Sequence, residues 1–122
     1  MLALFIAALF FNTALAYHLR ASIQVVSQPG QLDRAINLYK KAGKILRALG
    51  ETSEGAVLML AASNNMASLA WERCDMEAFM SHRNDLGSYL SLTVSTGNPH
   101  ANFFAMNFAY TDVVHRRGAA AA

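Results

Sequence analysis

The groups in this 122-residue chain that could do chemistry are four histidines, one cysteine and eight acidic residues. His18, His82, His100 and His115 are scattered, and no His-x-x-x-His pair occurs to hold a metal from one helix face. Asp112 and His115 share a face at i, i+3, but two ligands do not make a site. Cys74 follows Arg73, whose charge would favour a thiolate, yet no histidine lies near it in sequence to act as a base. No glycine-rich phosphate loop is present. The pattern predicts no enzyme, no metal and no cofactor. One acid–base pair is conceivable, His18 with Glu72, and only tertiary contacts could join residues so far apart in sequence.

Groups suited to binding are better organised. Asn64, Ser68, Trp71 and Glu72 stand at i, i+4, i+7 and i+8, within one arc of a helix. Amide and hydroxyl groups there can bond a peptide backbone, and Trp71 offers a large, rigid contact. The plainer reading makes Trp71 a core residue and pairs Asn64 with its neighbour. Lys40, Lys41, Lys44 and Arg47 form a basic face that an acidic protein, anionic lipid or RNA could meet. Such a stripe is more often the wet side of an amphipathic helix, and no interleaved aromatics point to base stacking.

These residues need helices to carry them, and the chain divides into four with polar punctuation. The first runs from about Leu4 to Gln24 and stops before "SQPGQ", where Pro29 and Gly30 mark a turn. The second, "LDRAINLYKKAGKILRAL", places Leu32, Ala35, Ile36, Tyr39, Ala42, Gly43 and Leu46 on one arc and its charges on the other. Gly50 ends it. The third, about Ser53 to Arg73, is apolar almost all round and must lie between neighbours. Asp75 is a suitable N-cap for the fourth, about Met76 to Thr93, with Phe79, Met80, Leu86 and Leu90 on its apolar side. After "STGNPH", the stretch "ANFFAMNFAYTDVV" fits strand alternation and helix period alike. Helix is preferred, because no other strand exists to pair with it. "GAAAA" at 118–122 is a low-complexity tail.

Two successive hairpins of this kind resemble tetratricopeptide (TPR) repeats. In the first, Phe10, the pair Thr13–Ala14 and Tyr17 stand where that family's first helix carries a bulky residue, an apolar–small pair and an aromatic. Ala35, Tyr39 and Ala42 match the alanine, aromatic and alanine of its second helix. The second hairpin keeps Met66–Ala67, preceded by Asn65 as the pair Thr13–Ala14 is preceded by Asn12. It departs at Ala70, Phe79 and Arg83, which stand where the first unit has Tyr17, Ala35 and Tyr39. The resemblance covers about residues 4 to 93. It implies a groove lined by the first helix of each hairpin: Asn64, Ser68, Trp71 and Glu72 from one, Phe11, Leu15 and His18 from the other. Members that clamp an acidic peptide tail use lysine and asparagine where this chain has Phe11 and Leu15. Only Asn65 of that clamp remains, so chaperone-tail binding is not implied.

The first sixteen residues admit a rival reading. An apolar run followed by Ala14-Leu15-Ala16 is a passable signal peptide, giving a secreted or N-terminally tethered helical protein that begins at Tyr17. Against it, no Lys or Arg precedes the run, and cleavage would uncover the apolar arc of the second helix. The segment is therefore expected to be retained. The longest strictly apolar run, Met1 to Phe11, is too short to span a bilayer. A single cysteine and no Asn-x-Ser/Thr acceptor point to the cytoplasm.

Composition sets the remaining bounds. Hydrophobic residues are 54% and charged residues 15%, which excludes disorder and leaves little polar surface to cover the outside. Residues 1–50 carry six Lys/Arg against Asp33 alone, while residues 51–122 carry four Arg against seven acids. Such an asymmetry would suit head-to-tail stacking of copies. The expected protein is all-α. Two TPR-like hairpins (about 4–49 and 53–93) occupy residues 1–96, followed by an aromatic capping segment at 97–117. It would bind a protein or peptide partner, without nucleic acid or membrane. Two repeats are few for such an array, so self-association or membership of a longer array is expected.

Overall fold

The computed structural model describes residues 1–24, 30–50, 52–95 and 97–110. The protein is all-α, with helices packed as antiparallel hairpins: α1 (Leu2–Ile23), α2 (Gln31–Leu49), α3 (Ser53–Glu72) and α4 (Met76–Ser95). Residues 101–110 are also helical, so the described part of the ambiguous aromatic stretch is helix; 111–114 lie outside the described residues. No strand occurs among the described residues. Pro29, the Asp112/His115 pair and the tail at 118–122 lie outside them.

The helix ends show why the chain turns where it does. Gly50, at φ 80°, closes α2 with its N–H bonded to the Arg47 carbonyl. Thr52 caps α3 by accepting from the Gly55 N–H at 3.0 Å. At the other end of α3, Cys74 adopts a left-handed φ of 56°. Its N–H bonds to the Trp71 carbonyl and that of Asp75 to the Ala70 carbonyl, the paired closure of a Schellman motif. Asp75 then serves twice, because its carboxylate accepts from the Ala78 N–H at 3.0 Å and caps α4 as expected. The same closure recurs after α4. There Gly97 takes the left-handed position, and the Gly97 and Asn98 N–H groups reach the Val94 and Thr93 carbonyls. Two equivalent turns at equivalent places reverse the chain twice in the same manner.

Packing follows the small-residue pattern. α1 packs chiefly on α2 and α3 chiefly on α4, while α3 also meets α2 and, more lightly, α1. Ala14, Ala35, Tyr39, Ala62 and Leu69 form one core cluster across the first three helices, with Phe11, Tyr17 and Met66 against it. Alanines at the contact let the backbones approach, and the Tyr39 ring fills the gap they leave. The predicted arc of α2 is buried at Ala35, Tyr39, Ala42, Gly43 and Leu46. A second cluster, Leu60, Leu86, Leu90 and Phe104, joins α3 and α4 to 101–110. A Cβ on Gly87 would stand 3.1 Å from the Phe108 ring, so a bare backbone at that point lets 101–110 settle onto α4.

α1 differs from its sequence reading in one respect. An 18-residue window within its 22 residues reaches a mean hydropathy of 1.8, so the helix is long and apolar enough by length and composition to cross a bilayer. The strictly apolar run of Met1 to Phe11 did not imply this. In the fold, α1 buries Ala7, Ala14, His18 and Ala21 against its neighbours.

Candidate binding cleft

A cleft of about 270 Å³ opens between α3, α4 and 101–110. α3 lines it with Asn64, Ala67, Ser68 and Trp71, one helical turn after another. α4 supplies Phe79, Arg83 and Leu86, and 101–110 supplies Asn107 and Tyr110. Three of the four residues predicted on the α3 arc therefore share one concavity. Trp71 is partly exposed and leans on Phe79, with ring centroids 5.3 Å apart. The buried Arg83 guanidinium lies 4.1 Å over the Phe108 ring, which gives the cleft a cation held by an aromatic face.

Glu72, the fourth residue of that arc, turns towards α1. Its Oε1 lies 3.3 Å from His18 Nε2, so the two residues singled out as a conceivable acid–base pair do meet. His18 is buried rather than lining a groove, and its Nδ1 faces the Tyr39 hydroxyl at 3.5 Å. Burial pushes the Tyr39 pKa up to about 12, although an Asn65 hydrogen bond favours the anion. The hydroxyl therefore keeps its proton.

From that proton the whole arrangement acquires a direction. Asn65 Nδ2 donates to Tyr39 Oη at 3.1 Å, which leaves the Tyr39 proton to be donated to His18 Nδ1. His18 then carries its own proton on Nε2 and donates to the Glu72 carboxylate. Upstream, Asn64 Nδ2 donates to Asn65 Oδ1 and Asn107 Nδ2 donates to Asn64 Oδ1, each at 3.3 Å. Five hydrogen bonds thus run one way, from Asn107 in the cleft to Glu72 beside α1. Asn65, the remnant of a peptide clamp in the sequence reading, spends its amide inside this chain.

The other predicted residues are placed apart. Phe11 is half-buried with its ring 5.5 Å from Tyr39, and Leu15 is half-buried on the same helix; neither lines the cleft. The basic face of α2 is exposed at Lys40, Lys41, Lys44 and Arg47. Lys41 Nζ sits 5.9 Å over the Phe10 ring. Lys40 borders a second, more polar cleft of about 330 Å³ with Asp33, Arg73, Asp75 and His82. There Arg73 donates to Asp33 at 2.6 Å, an exposed pair of small energetic weight. Burial lowers the His82 pKa, with Asp85 and Asp75 opposing and Lys40 adding to the shift. Cys74 is an exposed turn residue. Among the described residues no group of three or more His, Cys, Asp or Glu could hold a metal ion.

Sequence reading missed Arg83, Asn107 and Tyr110 as cleft residues. Arg83 had a signal, since it is the one charge among Phe79, Leu86 and Leu90 on the buried side of α4. Asn107 and Tyr110 had none, because their place depends on how 101–110 docks. Comparison of the chain with protein-family models, with curated proteins and with solved structures finds no match.

Proposed function

We propose that this protein is a non-catalytic, TPR-like interaction module that takes a peptide or helix of a partner protein in the α3–α4 cleft. The observation that carries this reading is the convergence of Asn64, Ser68 and Trp71 with Arg83 and Asn107 around one concavity. An exposed indole beside amide, hydroxyl and guanidinium groups suits an extended segment with alternating backbone and side-chain contacts. Paired hairpins, with α3 touching both helices of the first, are the arrangement expected of stacked TPR-like units, and a cytoplasmic setting goes with it.

Trp71 is the single tryptophan, so its emission reports on the cleft without a label. Peptides selected from a displayed random library should shift or quench that emission on titration. Trp71→Ala should weaken their binding by about tenfold or more, as loss of a central aromatic contact does. Selection of peptides that bind Trp71→Ala as well as the wild type, or no enrichment at all, sinks the cleft as the binding surface.

A further inference from the structure

His18 is the one buried histidine among the described residues, and its two ring nitrogens face unlike partners. Nε2 stands 3.3 Å from the Glu72 carboxylate and Nδ1 stands 3.5 Å from the Tyr39 hydroxyl. A carboxylate only accepts, so the neutral ring keeps its hydrogen on Nε2, and the bare Nδ1 takes the Tyr39 proton. The charged and titratable groups around it are Glu72 on α3 and Tyr39 on α2. Arg20 lies two residues further along α1, and Arg34 of α2 is held over the neighbouring Tyr17 ring.

A second proton on this ring has only Nδ1 to go to. Nδ1 then donates to Tyr39 Oη, and the Tyr39 O–H has to turn to its other partner, the Asn65 side chain. Asn65 meets it by a half-turn that presents Oδ1 in place of Nδ2. The same half-turn follows at Asn64 and then at Asn107. A carboxamide has an acceptor at one end and donors at the other, so each turn exchanges one hydrogen bond for another. The bond from His18 to Glu72 stays and becomes an ion pair, which offsets the cost of placing a charge in a buried site. All the other bonds in the run reverse, and no helix has to move.

We propose that His18 is a proton-operated selector of what the cleft accepts. Neutral, it fixes the Asn64 oxygen towards the cleft end of the run; protonated, it fixes the Asn64 N–H there. The selection rests on the proposed function, since it needs a guest that reads Asn64, whereas the reversal itself takes place with the cleft empty. A guest chosen to donate to that oxygen would find donor facing donor after the reversal, at a cost of about tenfold in affinity. By linkage, the same guest holds His18 in its neutral form.

The reversal is tested first, by nitrogen-15 NMR of the full chain without any guest, from about pH 8 to about pH 5, the interval in which histidines titrate. The side-chain amide signals of Asn64, Asn65 and Asn107 are expected to move along the same curve as the His18 ring nitrogens. Tyr39→Phe, with wild-type helicity confirmed by circular dichroism, should leave His18 titrating and the three amides still. Glu72→Gln, altered at an exposed position, should move the amide response to lower pH and serves alone if Tyr39→Phe does not fold. Amides that stay still while His18 titrates overturn the proposal. So does a His18 that stays neutral until the protein unfolds, or an amide response unchanged in both variants. The guest is then read through Trp71 emission, with a peptide selected at about pH 8. Its affinity should fall about tenfold at about pH 5 in the wild type and not in Tyr39→Phe. Equal affinity at both pH values, although the amides reverse, overturns the selector. Reversal with no peptide bound at either pH supports the switch and sinks the peptide reading instead.

Discussion

At the scale of single residues, Tyr39 does the work of a keystone. It is fully buried, touches Phe11 by ring contact, and joins Asn65 to His18 through its hydroxyl. Tyr39→Phe keeps the ring but leaves the Asn65 amide and His18 Nδ1 without this partner, so stability should fall by about 1–3 kcal/mol in urea titration. Its titration gives a second signature. The native pKa is raised from 10.0 to about 12, so the unfolded chain gives up its proton first. The contribution is whole below pH 10 and is lost as pH rises towards 12, at most about 3 kcal/mol for this shift. Tyr39→Phe should lack that alkaline decline; an unchanged slope would assign it to other groups.

At the scale of elements, the turn at Cys74 is the point of local conflict. A left-handed φ of 56° at a residue with a Cβ works against an otherwise well-bonded α3–α4 reversal. The matching turn after α4 has Gly97 in that position. Cys74→Gly should therefore stabilise the protein by about 1 kcal/mol, read as a higher urea midpoint at unchanged slope. Much of this architecture was legible beforehand. The period of α2, the Asp75 cap and the Gly50 stop are local signals, and local signals decide where helices begin and end. The Asn64–Ser68–Trp71 arc was equally visible, since three side chains on one helix need no tertiary knowledge. His18 shows where such reading stops. Its place on the groove helix followed from spacing, but its burial against Tyr39 followed from how closely the alanines bring α1 to α2. Likewise Glu72 shares an arc with Trp71 yet faces α1, because α3 is contacted from more than one side.

At the scale of the molecule, α1 is a structural member whose loss should be felt everywhere. Ala14 and Phe11 belong to the first core cluster, Ala7 packs with Leu46 and Met59, and His18 joins α1 to both α2 and α3. A chain made to begin at Tyr17 loses the first three of these and uncovers Ala35 and Tyr39. It should melt without a cooperative transition by circular dichroism, where the full chain unfolds in one step. A sharp transition in the shortened chain would show that residues 1–16 stand outside the folding unit, as a removable leader would.

The one-way run of hydrogen bonds from Asn107 to Glu72 means that the cleft's grammar is written from behind it. A carboxylate can only receive; with the His18 Nε2–H giving to it, Nδ1 of the neutral ring receives from Tyr39, and each amide in turn is held in one of its two orientations. What reaches the cleft is the oxygen of Asn64, which Asn107 now satisfies. An incoming chain that displaces Asn107 meets a fixed acceptor and must present an N–H or O–H at that point. On the proposed function, the choice of guest is thus set by Glu72, an acid outside the cleft that the guest need never touch.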